Sequence, residues 1–84
     1  MVKVLIYSTR FCSYCRMAER LLEKKSASVE KVLVDENPAR RDEMTRLTGR
    51  TSVPQIFIGD THVGGYMELS GLERSGELDA LLKS

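Results

Sequence analysis

The chain has 84 residues, of which 42% are hydrophobic and 30% charged, with a formal net charge of +1. This length suffices to bury roughly 60–65% of the unfolded surface in one small core, so residues 1–84 are expected to form a single domain. No apolar run is long enough for a membrane helix, the start lacks a signal peptide's basic region and apolar core, and aromatics at 6% with no basic run leave no nucleic-acid footprint.

Residues 2–7 are short, rich in β-branched side chains and bounded by Ser8 and Thr9, which predicts a buried strand. Cys12-Ser13-Tyr14-Cys15 follows and holds the only two cysteines. From residue 13 to 25 the apolar positions Met17, Ala18, Leu21 and Leu22 recur at helical spacing, predicting an amphipathic helix. A second strand is predicted over 30–34, with Val32 and Val34 on one face and Leu33 on the other. Strand, helix and strand within this span make a βαβ unit, whose crossover is expected to be right-handed and its strands parallel.

Asn37 suits a helix N-cap, Pro38 the first helical position and Gly49 the stop, with Ala39, Met44 and Leu47 as the buried stripe. Pro54 has two readings, a strand-start proline or a cis residue. Residues 55–58, a turn at Gly59-Asp60 and residues 61–63 read as a hairpin. Gly64-Gly65 lets the backbone turn before a helical segment over 69–83, interrupted near Gly76, with Leu72, Leu78, Leu81 and Leu82 facing inward. The order β-α-β-α-β-β-α predicts an α/β, thioredoxin-like fold: a mixed four-stranded sheet with helices on both faces.

Two residues between cysteines suit a redox dithiol or half of a metal site. A closed zinc site needs four ligands, and His62 is the sole histidine, so no metal is assigned. In the predicted fold Cys12 opens the first helix, where unpaired N–H groups and the positive end of the dipole favour an anion. A thiolate of lowered basicity gains little as an attacker, because nucleophilicity falls with basicity, and gains most as a leaving group. Cys15 stands one turn further on, close enough for a reversible disulfide after small adjustment at the helix start. Residues 1–54 carry eleven Lys/Arg against seven Asp/Glu, and residues 55–84 two against five. The basic part holds both cysteines, with Arg10 and Arg16 as cations that would favour a thiolate or an anionic substrate.

Three motifs in order, Cys12-Ser13-Tyr14-Cys15, Ser52-Val53-Pro54 and Gly64-Gly65-Tyr66-Met67-Glu68, resemble the glutaredoxins over nearly the whole chain. The resemblance implies that Pro54 is cis, lies against the cysteines, and that Ser52 and Val53 border a glutathione groove, with the Val53 backbone pairing to the tripeptide like an added strand. It implies that Gly65, Tyr66, Met67 and Glu68 open the last helix and hold the γ-glutamyl carboxylate, and that Tyr14 lines the groove. Ser13 stands where the family often has proline. Thr9 stands where it commonly has lysine, so Arg10 is expected to meet the glycyl carboxylate instead. Met67-Glu68 replaces a frequent Asp-Asp pair, leaving one carboxylate for the γ-glutamyl ammonium.

The implied activity is glutathione-dependent thiol–disulfide exchange at Cys12 and Cys15 on glutathionylated or disulfide-bonded proteins. The implied state is a cytoplasmic monomer with glutathione as co-substrate, no permanently bound cofactor, and no nucleic-acid or membrane partner. Two alternatives share the scaffold: an electron donor to ribonucleotide reductase recharged by thioredoxin reductase, and a carrier of a [2Fe–2S] cluster held by two protein cysteines and two glutathiones.

Overall fold

Alternation along the first strand sets the layers. In the computed structural model, which describes residues 2–83, β1 (Lys3–Ser8) sends Val4 and Ile6 to one face of the sheet and Leu5 and Tyr7 to the other. Apolar groups on both faces require cover on both, which places β1 in the middle of the sheet. β2 (Ser28–Leu33) pairs with it in parallel, Lys3 opposite Ser28 and Ser8 opposite Leu33. β3 (Gln55–Ile58) pairs with β1 antiparallel, and β4 (Thr61–Gly64) closes the hairpin at the edge, with a register shift at Ile56/Phe57. The strand order β2-β1-β3-β4 is the mixed, thioredoxin-like sheet expected from the sequence.

Three helices cover one face. Ala18 and Leu22 of α1 (Ser13–Lys24), Leu69 of α3 (Tyr66–Ser75), and Leu78 and Leu82 of α4 (Glu77–Lys83) pack on Val4, Ile6, Ile56 and Ile58. Lys25 ties the three together, its Nζ 2.8 Å from Glu73 and 3.0 Å from Asp79. The other face belongs to α2 (Pro38–Thr48), where Met44 meets Tyr7, Val32 and Val34. Asn37 caps α2 by accepting from the Arg40 N–H, and Gly49 ends it at φ 71°, a left-handed position that glycine takes without a Cβ penalty. Among the described residues no helix is long and apolar enough to cross a membrane.

Four expectations are corrected. The second strand starts at Ser28 rather than residue 30, because parallel pairing to Lys3 and Val4 recruits the exposed Ser28 and Val29. The last helical segment begins at Tyr66 rather than residue 69, while its interruption at Gly76, which ends α3 at φ 84°, is as expected. Met17 is 41% exposed, since Ala18 and Leu22, with the partly buried Leu21, fill the α1 contact with the sheet. In α2, Ala39 is exposed and Leu47 is 56% exposed; Met44 is the helix's one buried residue. A polar contact replaces the expected stripe: the buried Tyr7 hydroxyl donates to Glu43, which also accepts from Arg40 at 3.1 Å. Burial first, then Glu43, raises the Tyr7 phenol, while the same hydrogen bond lowers the Glu43 carboxyl.

Candidate functional site

Local sequence brings the two cysteines to the junction of β1 and α1. Cys12 is the N-cap of α1, with extended backbone at φ −137° and ψ 111°. A sulfur takes the place of the usual cap oxygen: Cys12 Sγ accepts from the Cys15 N–H at 3.2 Å. Cys12 is half-buried and Cys15 has no exposed surface; both are free thiols. Burial, with Cys12 beside it, pushes the Cys15 thiol up to about 11, against smaller lowering contacts from the Ser8 side chain and the Thr9 backbone. Cys15 is therefore a protonated, sheltered sulfur at neutral pH, and Cys12 is the one a substrate can reach.

The Val53–Pro54 peptide is cis, in agreement with the second of the two readings of Pro54. The carbonyl oxygen of Val53 lies 4.0 Å from Cys12 Sγ, so this segment borders the thiol directly. Gln55 holds it from below. Its fully buried side chain donates to the Ser52 carbonyl at 3.0 Å, and its carbonyl oxygen lies 2.8 Å from His62 Nε2. His62 is thus a partner of Gln55, and among the described residues no group of three His, Cys, Asp or Glu could hold a metal ion.

A groove of about 180 Å³ runs beside Cys12, with Ser52, Val53 and Pro54 on one side and Gly65, Tyr66, Met67 and Glu68 on the other. Tyr14 also lines it, its ring 6.2 Å from that of Tyr66. At the far side α3 starts on Gly65, where a Cβ would stand in ordinary contact with the Pro54 carbonyl oxygen, 3.5 Å away. The first turn of α3 is closed by the bond from the Leu69 N–H to the Gly65 carbonyl, which leaves the N–H groups of Tyr66, Met67 and Glu68 ahead of it. Glu68 reaches back to accept the Gly65 N–H at 2.6 Å. This is half of a capping box: glycine has no side chain to return the bond, so the helix start keeps donors for an acceptor from outside.

Of the candidate residues, all but Arg10 and Arg16 gather around Cys12 and this groove. Arg10 is turned away, its Nε 3.2 Å from both Asp35 and Glu36, and it lines a different pocket with Thr9, Arg16, Glu19, Lys31 and Leu33. The cation that does line the groove is Arg50, whose Nη1 lies 3.5 Å from Glu68 Oε1. Arg50 and Gln55 were not singled out from the sequence; beyond lying within two residues of the Ser52-Val53-Pro54 motif, nothing local marks them.

A family model described as Glutaredoxin matches residues 4–63. The chain is similar to a protein named glutaredoxin from Pseudomonas aeruginosa, 48% identical over 84 residues that cover 100% of both chains. Among solved structures it is similar to a glutaredoxin from Brucella melitensis, at 46% identity and a TM-score of 0.87, covering 99% of this chain and 90% of that one. It is also similar to a buckwheat glutaredoxin–glutathione complex, at 26% identity and a TM-score of 0.89, covering 98% of this chain and 77% of that one.

Proposed function

The chain belongs to the glutaredoxin family of thiol–disulfide oxidoreductases, and we propose that it uses glutathione to reduce protein–glutathione mixed disulfides and protein disulfides through Cys12 and Cys15. One observation carries this reading: the groove with spare helix-start donors and an arginine opens beside the accessible sulfur, Cys12 Sγ lying 4.0 Å from the Val53 carbonyl. A tripeptide laid along it would pair with the Val53 backbone, set its γ-glutamyl carboxylate at the start of α3, and offer its ammonium to Glu68. We assign a further carboxylate contact to Arg50 in place of Arg10, whose charge is already engaged by Asp35 and Glu36.

The steps follow from the difference between the two sulfurs. Cys12 as thiolate attacks the glutathionyl sulfur of a mixed disulfide, the target protein's thiolate departs, and Cys12 carries glutathione. A second glutathione attacks that sulfur and is released as glutathione disulfide, returning Cys12. With a protein disulfide, Cys12 forms the mixed disulfide, Cys15 closes the Cys12–Cys15 bond, and two glutathiones reopen it. In this reading residues 1–84 act as one domain and as a monomer in the cytoplasm, where glutathione keeps thiols reduced.

The test is reduction of a glutathionylated peptide with glutathione and glutathione reductase, beside the same assay with thioredoxin reductase. Turnover with glutathione alone is expected. Cys12→Ser is expected to abolish all activity, and Cys15→Ser to retain deglutathionylation while losing much of the action on protein disulfides. Recharging by thioredoxin reductase only, or equal losses in both variants on both substrates, would overturn the reading.

A further inference from the structure

Closing the Cys12–Cys15 bond requires that Cys15 give up a proton, and little around it can take one. Cys15 has no exposed surface, and burial holds its thiol up to about 11. Cys12 is no acceptor at that moment, because its sulfur is already in the mixed disulfide. Cys15 and Glu19 lie four residues apart on α1 and share a face, and that face meets the end of β1 at Ser8. Ser8 is itself without exposed surface. Its side chain sits close enough to the Cys15 sulfur to lower that thiol against the burial that raises it, and its Oγ lies 3.5 Å from Glu19 Oε2 and 3.4 Å from the Thr9 carbonyl oxygen. These contacts are long for hydroxyl bonds, as catalytic contacts often are before substrate arrives. Beyond Ser8 the path reaches water, since Glu19 lines a pocket of about 330 Å³ and keeps 25% of its side-chain surface exposed.

We propose that Ser8 and Glu19 form the proton exit of the buried thiol: the Cys15 proton passes to Ser8 Oγ as the Ser8 hydroxyl proton passes to the Glu19 carboxylate. This route presupposes the Cys12–Cys15 dithiol chemistry proposed above. As the proton moves, Cys15 Sγ bonds to Cys12 Sγ, the bond from Cys12 Sγ to the glutathione sulfur breaks, and glutathione leaves as its thiolate with the electron pair. The Cys15 sulfur is oxidised, the glutathione sulfur is reduced, and the proton leaves Glu19 through the pocket. Ser8 touches the reacting sulfur; Glu19 acts through it. The charged groups that face Glu19 are Lys31 from β2, with Nζ 3.4 Å from Oε1, and Arg16 and Arg10 on the rim of the same pocket, Arg10 being held by Asp35 and Glu36.

The experiment mixes reduced protein with glutathione disulfide in a single turnover and quenches with acid, so that mass spectrometry resolves the reduced, glutathionylated and internally disulfide-bonded forms. In the wild type the glutathionylated form is expected to be transient, with a decay nearly independent of pH from about 6 to 7.5. Glu19→Gln is expected to slow that decay about ten- to a hundredfold near pH 7, toward the lower end of general-base effects, and to make it climb about tenfold per pH unit as hydroxide replaces the lost acceptor. Ser8→Ala should show the same slope, and Glu19→Asp, which keeps a carboxylate with shorter reach, should fall between. Lys31→Ala removes only the ion pair and should keep the flat profile. A flat, fast decay in Glu19→Gln, or a steep profile in Lys31→Ala, would overturn the relay. A wild type that never forms the internal disulfide would instead overturn the dithiol reading, and the relay with it.

Discussion

Arg50 and Arg10 offer two cations for one ligand, and they are separable. Arg50 faces Glu68 across 3.5 Å, with side chains 50% and 47% exposed, so their mutual attraction is worth only about 0.2–1 kcal/mol. A ligand carboxylate that takes Arg50 from Glu68 forms a charge-assisted bond of about 1.5–3 kcal/mol. The net gain to binding is then roughly 1–2 kcal/mol, and Arg50→Ala is expected to raise the KM for a glutathionylated substrate about five- to thirtyfold. The contact is made equally in ground and transition states, so kcat should stay within about twofold. Arg50→Lys should fall between, because an ammonium keeps the charge and loses the planar fork. Arg10→Ala breaks pairs with Asp35 and Glu36 on another surface and should change KM by less than about twofold. The assay follows NADPH through glutathione reductase while a glutathionylated peptide is titrated. An Arg10→Ala effect equal to or larger than that of Arg50→Ala would refute the assignment.

Alkylation should discriminate the two thiols by pH: with Cys15 at about 11 rather than an ordinary 9.0, its thiolate fraction at pH 8 is about a hundredfold below that of a free thiol. Peptide mapping after iodoacetamide treatment should find Cys12 modified and Cys15 untouched below about pH 9; equal labelling at pH 8 would contradict this. The same raised thiol carries a stability term with a definite sign, because the folded state binds the Cys15 proton more tightly than the unfolded state. That contribution is fully present below about 9 and is lost as pH rises through about 11, which urea unfolding of Cys15→Ser beside the wild type should reveal as a shallower decline above pH 9. Leu22→Ala removes a fully buried side chain between α1 and the sheet and should cost about 2–5 kcal/mol in urea unfolding, with no cost taken as disproof of its core position.

What could be read in the sequence were the signals that act within a turn or two of chain. The short β-branched run of β1, the Asn37-Pro38 start and Gly49 stop of α2, and the apolar spacing of α1 each concern neighbours, so each specified its element. Leu47 has the right helical spacing for burial and yet faces solvent. What orients α2 is Met44 together with the contact from Glu43 to the Tyr7 hydroxyl, which joins residues 36 positions apart; helical periodicity carries no trace of such a partner. The cations at the site obey the same rule. Arg10 is close to Cys12 along the chain, which made it the natural candidate, but the turn after β1 carries its guanidinium to Asp35 and Glu36 at the end of β2. Arg50 stands far from Cys12 in sequence and belongs to no local pattern. It reaches the groove because β3 pairs with β1, and because the hairpin then returns the chain so that α3 starts against the Pro54 carbonyl. Gln55 is silent for a related reason: a fully buried amide in a strand looks like a mistake until Ser52 and His62 are folded onto its two ends. The sulfur proposed to react is therefore marked by its own short motif, whereas the groups that would hold its substrate and take its proton are assembled from β1, α1, the loop before β3 and the start of α3. Their identities depend on strand pairing, and only the paired sheet reveals them.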